Sequence, residues 1–408
     1  MKVLIVNTTE RTGGAAIAAT RLMHALQKEG VEVSMLCRRN LQFTIHNSQF
    51  IIKSFAFYWE RLRIFLSNRL SKRNLWQIDI ANCGEDITKT EAFREADVIH
   101  LHWVNQGFLS MKNLEAIFHS GKRIVWTLHD QWPYTGICHY ANNCDKYLHH
   151  CHYCPLLARP RHHDLSYKLF RKKHKLFREA DITFVGCSRW ITEDAQEAPL
   201  TQGNRVVNIP NAIPKDIFHP MSKSEAREMF HLPQDKQLVL FGSQKVTDER
   251  KGVKFLAEAC KRLRHEDIEL IVAGNASQQL QGLFSLPIHS VGYIESEQSM
   301  AALYAAADVF VTPSLEDNLP NTIAEAMSCG TPCVGFRVGG IPEMIHHQQD
   351  GYVARYRDAK DLAEGIRYVL AHPELGEAAV QYASETYDEA RVAQLYIAEY
   401  RRSALPLA

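Results

Sequence analysis

Two acidic residues eight positions apart, Asp317 and Glu325, carry the strongest chemical signal in the sequence. They flank a polar loop that leads into a short predicted helix opening near Asn321-Thr322 and closing at Cys329-Gly330. The free backbone N–H groups at a helix N-terminus can bind an anion. Carboxylates beside it can accept hydrogen bonds from sugar hydroxyls on either side of a diphosphate. The segment therefore predicts a site for a nucleotide-sugar.

A second group of candidate residues lies in the loop that follows a predicted strand at 238–242. Lys245 and Lys251 are six residues apart, so they can hold a diphosphate from two sides and neutralise the charge that grows on the leaving group. The sequence contains no Asp-x-Asp motif, which would hold a divalent cation against the diphosphate. We therefore expect lysines and a helix dipole to take over that role without a catalytic metal.

The first half of the chain offers a further pair, His129 and Asp130, at the end of a predicted strand over 124–128. A histidine there faces the carboxyl edge of the sheet, where open α/β sheets bind ligands. Asp130 is expected to orient the histidine or to accept a proton from an acceptor. His100 and His102 end another strand and are candidates for the same edge.

The first predicted strand is followed by Gly13-Gly14, which lets backbone approach a ligand closely. This turn lacks the Gly-x-Gly-x-x-Gly of dinucleotide-binding proteins, so a dehydrogenase is not favoured. Strand, glycine turn, helix and strand alternate through both halves of the chain. That alternation predicts two parallel-sheet α/β domains.

Taken together, the acid-x7-acid segment and the stretch Trp126-Thr-Leu-His-Asp-Gln-Trp132 resemble glycosyltransferase family 4, in particular the colanic-acid-type exopolysaccharide enzymes. The family has Glu at the first acid and Arg at the first basic position, where this chain has Asp317, beside Glu316, and Lys245. The resemblance implies retention of anomeric configuration and a strand-end histidine that meets the reacting sugars. It also implies a donor site that includes, besides the residues above, Asn318, Asn321 and Thr322.

The resemblance implies the GT-B fold, in which two Rossmann-like doubly wound domains face a central cleft. We expect an N-terminal acceptor-binding domain over 1–208 and a nucleotide-sugar-binding domain over 209–387. A last helix, within 388–408, should cross back to the first domain. The linker is expected near Asn208–Pro214.

Four cysteines within 17 residues, Cys138, Cys144, Cys151 and Cys154, form a separate cluster. Such a cluster in a chain without a recognisable signal peptide favours structural zinc, although free thiols or a disulfide pair are the alternative. Four thiolates close the coordination sphere, so the metal would stabilise a loop and not perform catalysis. The colanic-acid-type subset carries a similar cluster.

Residues 53–76 place Phe55, Trp59, Leu62, Leu66 and Leu70 at helical spacing among basic residues, which is typical of an interfacial helix. The alternative is a helix that packs its apolar side into the core. The first 210 residues contain 28 Lys and Arg against 19 Asp and Glu, and the rest of the chain is acidic. This asymmetry favours either an anionic partner or attraction between the two halves.

The sequence thus predicts a cytoplasmic glycosyltransferase, peripheral on the inner face of the cytoplasmic membrane. It would move a sugar from a nucleotide-sugar to a glycan acceptor, lipid-linked in exopolysaccharide or cell-surface polysaccharide synthesis, and would bind no nucleic acid. Two alternatives stay open. One is a GT-B nucleotide-sugar epimerase, and the other is a zinc-stapled binding protein without catalysis.

Overall fold

A computed structural model describes residues 1–38, 48–245, 248–275, 277–280 and 282–402 of the 408-residue chain. The chain divides into two compact units. The first contains residues 1–210 and 390–408, and the second contains residues 211–389. The sequence placed these boundaries at 208 and 388. The binding roles expected for the two domains stay predictions.

The first unit is built on a six-stranded sheet in the order β2-β1-β3-β4-β5-β6, in which all neighbours are parallel. Four of its strands are almost entirely buried, as expected for a parallel sheet covered by helices on both faces. The strands are β1 (Lys2–Asn7), β2 (Glu32–Cys37), β3 (Val98–Leu101), β4 (Arg123–Leu128), β5 (Ile182–Gly186) and β6 (Arg205–Asn208).

Six helices follow these strands in chain order: α1 (Gly14–Lys28), α2 (Ser48–Ser67), α3 (Glu91–Glu95), α4 (Met111–Phe118), α5 (Leu165–Arg178) and α6 (Arg189–Glu197). Several begin where a side chain satisfies the free N–H groups of the first turn. Ser110 forms a capping box with Asn113 at α4, and Asp164 accepts two backbone N–H bonds at α5. Trp126 packs against Phe177 and Phe184 in the core.

The second unit repeats the architecture with an all-parallel sheet in the order β12-β11-β10-β7-β8-β9. Its strands are β7 (Gln237–Lys245), β8 (Ile268–Asn275), β9 (Ile288–Gly292), β10 (Val309–Thr312), β11 (Cys333–Phe336) and β12 (Gly351–Ala354). Its helices are α7 (Lys223–Met229), α8 (Val253–Leu263), α9 (Glu297–Ala306), α10 (Asn321–Ser328), α11 (Ile341–Met344), α12 (Ala359–Ala371) and α13 (Leu375–Thr386).

The final helix, α14 (Glu389–Tyr400), packs on the sheet of the first unit. The hydroxyl of Tyr400 lies 2.7 Å from Nδ1 of His100, and that of Tyr396 lies 3.0 Å from Oγ1 of Thr127. Arg205 forms a bidentate ion pair with Glu399 at 2.9 and 2.8 Å. His100 is fully buried in these contacts, so the expectation that it lines the carboxyl edge of the sheet was wrong.

Two doubly wound α/β domains are therefore confirmed, with differences in detail. The sequence did not predict β6 or β12, which are only four residues long. The helix predicted over 53–76 ends at Ser67, because Arg69 and Leu70 have positive φ angles. In the part of the chain that the structure describes, no helix is long and apolar enough to cross a membrane.

Candidate functional site

Three adjacent strands of the first unit end in side chains that lie in a row. His102 follows β3, His129 follows β4 and Cys187 follows β5. Nδ1 of His102 lies 2.8 Å from Nε2 of His129, and Nδ1 of His129 lies 3.8 Å from Sγ of Cys187. Parallel strands in register bring their carboxyl ends to one edge, which explains why residues 27 and 58 positions apart meet.

The two histidines of this row are neutral at physiological pH. Burial lowers the pKa of His129 to about 4, and burial also lowers the pKa of His102 far below its usual value. Nε2 of His102 is buried without a hydrogen-bond partner. A bare ring nitrogen tolerates that position better than an N–H, so we assign the proton of His102 to Nδ1, where it is donated to His129. His129 is half-buried and supplies no positive charge; because its Nε2 accepts from His102, it can meet a hydroxyl only through its Nδ1–H.

Asp130 has partners other than His129. Its carboxylate accepts hydrogen bonds from the indole N–H of Trp103 at 2.8 Å, from the backbone N–H of Trp132 at 2.9 Å and from Nδ1 of His139 at 2.7 Å. The residue is 7% exposed. These contacts fix the loop after β4, whereas His102 is the side chain that contacts His129 directly. The sequence signal for this arrangement was the pair of strand-end histidines.

Gly13 lies in the turn after β1, and Gly14 is the first residue of α1. Gly13 has a φ of +92° and precedes α1, whose first turn has no side-chain cap. A β-carbon at Gly13 would meet no atom within 4 Å, so the glycine is required for its backbone angle and not for space. Because no side chain caps the first turn of α1, there is room for a polar ligand at this edge of the sheet.

In the second unit, the loop after β10 is held between two turns. The N–H of Leu315 donates to the backbone oxygen of Arg250 at 2.7 Å, and the N–H of Gly340 donates to that of Asp317 at 3.3 Å. Gly252 and Gly339 both have positive φ angles, and a β-carbon at either would approach a backbone oxygen of this loop to within 2 Å. Their lack of a side chain lets the loop pack this closely, a role the sequence reasoning did not assign.

The loop brings two of the predicted donor residues together. Nζ of Lys251 lies 2.7 Å from Oδ2 of Asp317, and both side chains remain partly accessible. The neighbouring Glu316 is different: burial raises the pKa of its carboxyl group, and its Oε1 is buried without a hydrogen-bond partner. The side chain of Lys245, the other predicted cation, lies outside the described residues.

Glu325 is the fifth residue of α10 and is 6% exposed. Its Oε2 accepts a hydrogen bond from the hydroxyl of Tyr304 at 2.8 Å, which fixes the carboxylate. α10 starts after Pro320 with no side-chain cap, so its first turn suits an anion. Of the other predicted donor residues, Asn318 is buried, Thr322 is half-buried in the first turn, and Asn321 accepts a hydrogen bond from Asn211 at 2.8 Å.

The four clustered cysteines lie near one another in the first unit. Burial, together with neighbouring cysteines, raises the pKa of Cys138, Cys151 and Cys154 to about 12. The N–H of Gly136 donates to Sγ of Cys151 at 3.2 Å. All ten cysteines are free thiols. Among the described residues, no group of three or more His, Cys, Asp or Glu side chains is arranged to hold a metal ion, so zinc stays a prediction.

A buried lysine accompanies this cluster. Lys173 is 0% exposed, its ammonium group lies 3.4 Å from the ring centre of Trp132, and it donates to the backbone oxygen of Thr135 at 3.1 Å. Burial lowers its pKa to about 7, while the nearby Cys138 and Cys151 act in the opposite direction. A cation in this position would stabilise negative charge on the cysteines.

α2 turns its apolar side toward solvent. The apolar stripe consists of exposed side chains in and just after this helix, each between 40% and 66% exposed: Phe55, Tyr58, Trp59, Leu62, Leu66, Leu70 and Trp76. Arg61, expected among the exposed basic residues, is instead 5% exposed and pairs with Asp79 at 3.0 Å. Exposed cations border the stripe: Arg63, Arg69, Lys72 and Arg73.

Known proteins resemble this chain in both sequence and architecture. Residues 12–216 match the family described as Glycosyltransferase Family 4, and residues 235–372 match the family described as Glycosyl transferases group 1. A sucrose-phosphate synthase from Thermosynechococcus elongatus has a TM-score of 0.69 at 19% identity and 98% coverage of both chains. The Anabaena protein HepE, solved in complex with UDP-glucose, has a TM-score of 0.62 at 15% identity, again covering 98% of each chain.

Curated relatives match over a shorter region. The sulfoquinovosyl transferase of Arabidopsis thaliana is 28% identical over 52% of this chain and 43% of its own length. The N,N'-diacetylbacillosaminyl-diphospho-undecaprenol alpha-1,3-N-acetylgalactosaminyltransferase of Campylobacter jejuni is 30% identical over 46% of this chain and 51% of its own. The chain thus spans about half the length of the curated relatives it matches. With a family match over half its residues and two parallel Rossmann-like domains of the GT-B type, the chain belongs to glycosyltransferase family 4.

Proposed function

We propose that this protein transfers a sugar from a nucleotide-sugar to a glycan acceptor with retention of configuration. The observation that carries the proposal is the Lys251–Asp317 pair, 2.7 Å apart, in a loop held by two glycine turns next to the uncapped start of α10. A lysine and a helix N-terminus suit a diphosphate, and a carboxylate beside them suits sugar hydroxyls.

The neutral His129 at the carboxyl edge of the first sheet is the candidate partner for the reacting sugar. Lys251 would neutralise the charge that develops on the departing nucleotide, with α10 contributing its dipole. Family membership and the complex of HepE with UDP-glucose support a uridine nucleotide as the first donor to test.

A lipid-linked acceptor is the second part of the proposal. The name of the Campylobacter relative specifies a diphospho-undecaprenol acceptor. The apolar stripe of α2 and its basic border suit the headgroup region of an anionic membrane. The positive charges of Arg159 and Arg161 lower the pKa of Arg69, which shows that cations crowd at the end of this helix. We place the enzyme on the inner face of the cytoplasmic membrane, in polysaccharide synthesis.

Nucleotide release from a panel of UDP-, GDP- and ADP-sugars tests the donor site. Lys251→Ala should lower turnover by about 10²–10³, the usual effect of removing one group that stabilises developing negative charge. Lys254→Ala is the matched control, because Lys254 is exposed three residues further on and should keep normal turnover. Equal turnover in both variants would contradict the assignment of Lys251 to the donor site. If the reaction instead yields an epimerised nucleotide-sugar, the protein is better described as a nucleotide-sugar epimerase.

A further inference from the structure

A cavity of about 670 Å³ opens on the first unit, between the cysteine segment and α5. Its walls come from three places in the chain: the end of the cysteine segment at His149 and His150, the solvent side of α5, and Pro199 after α6. The ring of His150 packs 4.7 Å from that of Phe170 on α5, which joins two of these walls. The space is comparable to that of small-ligand sites in proteins.

The lining is strongly cationic. Arg171, Lys175 and Arg178 of α5 line the cavity, and Glu179 is the single acid among the lining residues. Within the described ranges of the chain, none of the three cations has a carboxylate within 4 Å, although surface cations elsewhere, such as Arg367, pair with two acids. The fold therefore gathers these charges without neutralising them.

The spacing on α5 adds to this charge. Arg171 and Lys175 are four residues apart, and Arg178 is three further on, so the three side chains are neighbours on one helix face. Like charges at these distances destabilise a helix. An anion in the cavity would relieve this repulsion.

We propose that this cavity binds a phosphate or diphosphate group. Arg171 and Arg178 offer planar guanidinium forks that match phosphate oxygens, and Lys175 adds a third charge. Imidazole N–H groups of His149 and His174 can donate further bonds, and Phe170 can pack against the apolar part of the bound molecule. The cavity shares no residue with the proposed donor site, so it is a second anion site independent of the proposed function.

Binding of inorganic pyrophosphate to the full chain, measured by isothermal titration calorimetry, tests the proposal. The variant Arg171→Gln/Lys175→Gln removes two lining charges. The control Lys168→Gln/Lys172→Gln removes two exposed charges from the same helix that do not line the cavity. Both variants keep the donor site, so any binding there is common to both. We expect the affinity of the cavity site to fall at least tenfold in the first variant and less than twofold in the control.

Vesicle flotation distinguishes a lipid headgroup from a soluble molecule as the source of the phosphate group. If the cavity takes a lipid headgroup, the cavity variant should bind phosphatidylglycerol vesicles more weakly than the control variant, with the contribution of α2 left in both, and pyrophosphate should weaken the vesicle binding of the wild-type protein. If it takes a soluble phosphate, the vesicle arm should stay unchanged while pyrophosphate binding is lost. Equal pyrophosphate affinity in the wild type, the cavity variant and the control overturns the proposal, provided that circular dichroism shows both variants folded.

Discussion

At the scale of single residues, the donor site depends on which of two adjacent acids is presented to the ligand. Asp317 is 2.7 Å from Lys251 and remains partly accessible, whereas Glu316 has a buried, unpartnered oxygen and a raised pKa. A buried carboxyl group with a raised pKa is more readily neutral and is then a poorer acceptor for sugar hydroxyls. The geometry therefore favours Asp317 as the acid of the site.

We predict that Asp317→Ala lowers kcat/KM by at least tenfold, because it removes both the carboxylate and the partner that positions Lys251. Glu316→Ala should cost less than threefold. Steady-state kinetics with the best nucleotide-sugar measure both, and thermal unfolding checks that each variant is folded. The opposite order, with Glu316→Ala the more damaging change, would show that the neighbouring acid fills this role.

His129 gives a second prediction at this scale. Its folded pKa of about 4 lies below the unfolded value of about 6.5, so the unfolded chain binds more protons between these values and stability falls as pH decreases through that window. His129→Asn removes this term. Relative to that variant, the wild type should lose about 2 kcal/mol of unfolding free energy between pH 7 and pH 5.

Urea unfolding followed by tryptophan fluorescence measures this difference, because all six tryptophans lie within residues 1–210 and report on the first unit. His163→Gln, which changes an exposed histidine, is the control and should leave the pH dependence unchanged. If the difference in unfolding free energy between the wild type and His129→Asn is the same at pH 7 and pH 5, the assignment of a neutral His129 is contradicted.

At the scale of elements, α2 buries Glu60 and Arg61 beside Ile64 and exposes most of its large apolar side chains. Arg61, Glu60 and Asp79 form a buried cluster, in which burial and the charge of Asp79 raise the pKa of Glu60 to about 9. Backbone N–H groups of Ile80 and Ala81 donate to Glu60 at 3.1 and 2.8 Å. Removing one partner of a buried ion pair costs about 3–5 kcal/mol, so the cluster fixes which side of α2 faces out.

This orientation predicts binding to anionic vesicles in flotation assays, with little binding to neutral ones and weakening as salt rises. Each basic residue near the surface contributes about 1 kcal/mol, so Arg63→Gln/Arg69→Gln/Arg73→Gln should abolish it. Arg61 is left intact because it is buried. The control removes three exposed cations from the second unit, Lys254, Arg262 and Arg264, and should still float. Wild-type protein that ignores anionic vesicles would instead indicate a soluble acceptor.

At the scale of the whole molecule, one question is whether the protein uses metal for structure, for catalysis or for neither. The cysteine cluster and the buried Lys173 favour a structural zinc, since a cation beside four thiolates lowers their net charge. Protein purified without chelator should then contain close to one equivalent of zinc by elemental analysis, and Cys151→Ser should lose it. Cys260→Ser, in the core of the second unit, is the control.

Transfer should meanwhile persist during brief exposure to EDTA, because the sequence has no Asp-x-Asp pair to hold a cation on the diphosphate. Less than about half an equivalent of zinc would reject the four-thiolate site. Loss of activity that Mg²⁺ or Mn²⁺ specifically restores would reject the cation-free reaction.

The sequence by itself determined the fold class, because buried parallel strands are continuous apolar runs and the helices between them carry apolar periodicity. The strand predicted over 124–128 agrees with β4 (Arg123–Leu128) to within one residue. β6 was missed because Arg205–Asn208 contains only two apolar residues and resembles a loop. The acid-x7-acid spacing was readable because it lies within one strand–loop–helix segment.

Tertiary structure alone decided which side chains meet and which side of an element is buried. His102 and His129 are 27 residues apart and touch only because β3 and β4 are neighbours in the sheet. His100, two residues earlier, lies on the same side of the strand, with its ring centre 4.3 Å from that of His102, but it is covered by Tyr400 of α14. The apolar spacing on α2 fitted a core helix and an exposed one equally. In the structure, Arg61 is on the buried side of α2 and pairs with Asp79, so the apolar stripe is exposed. A buried charge without its partner costs more free energy than an apolar side chain left in water.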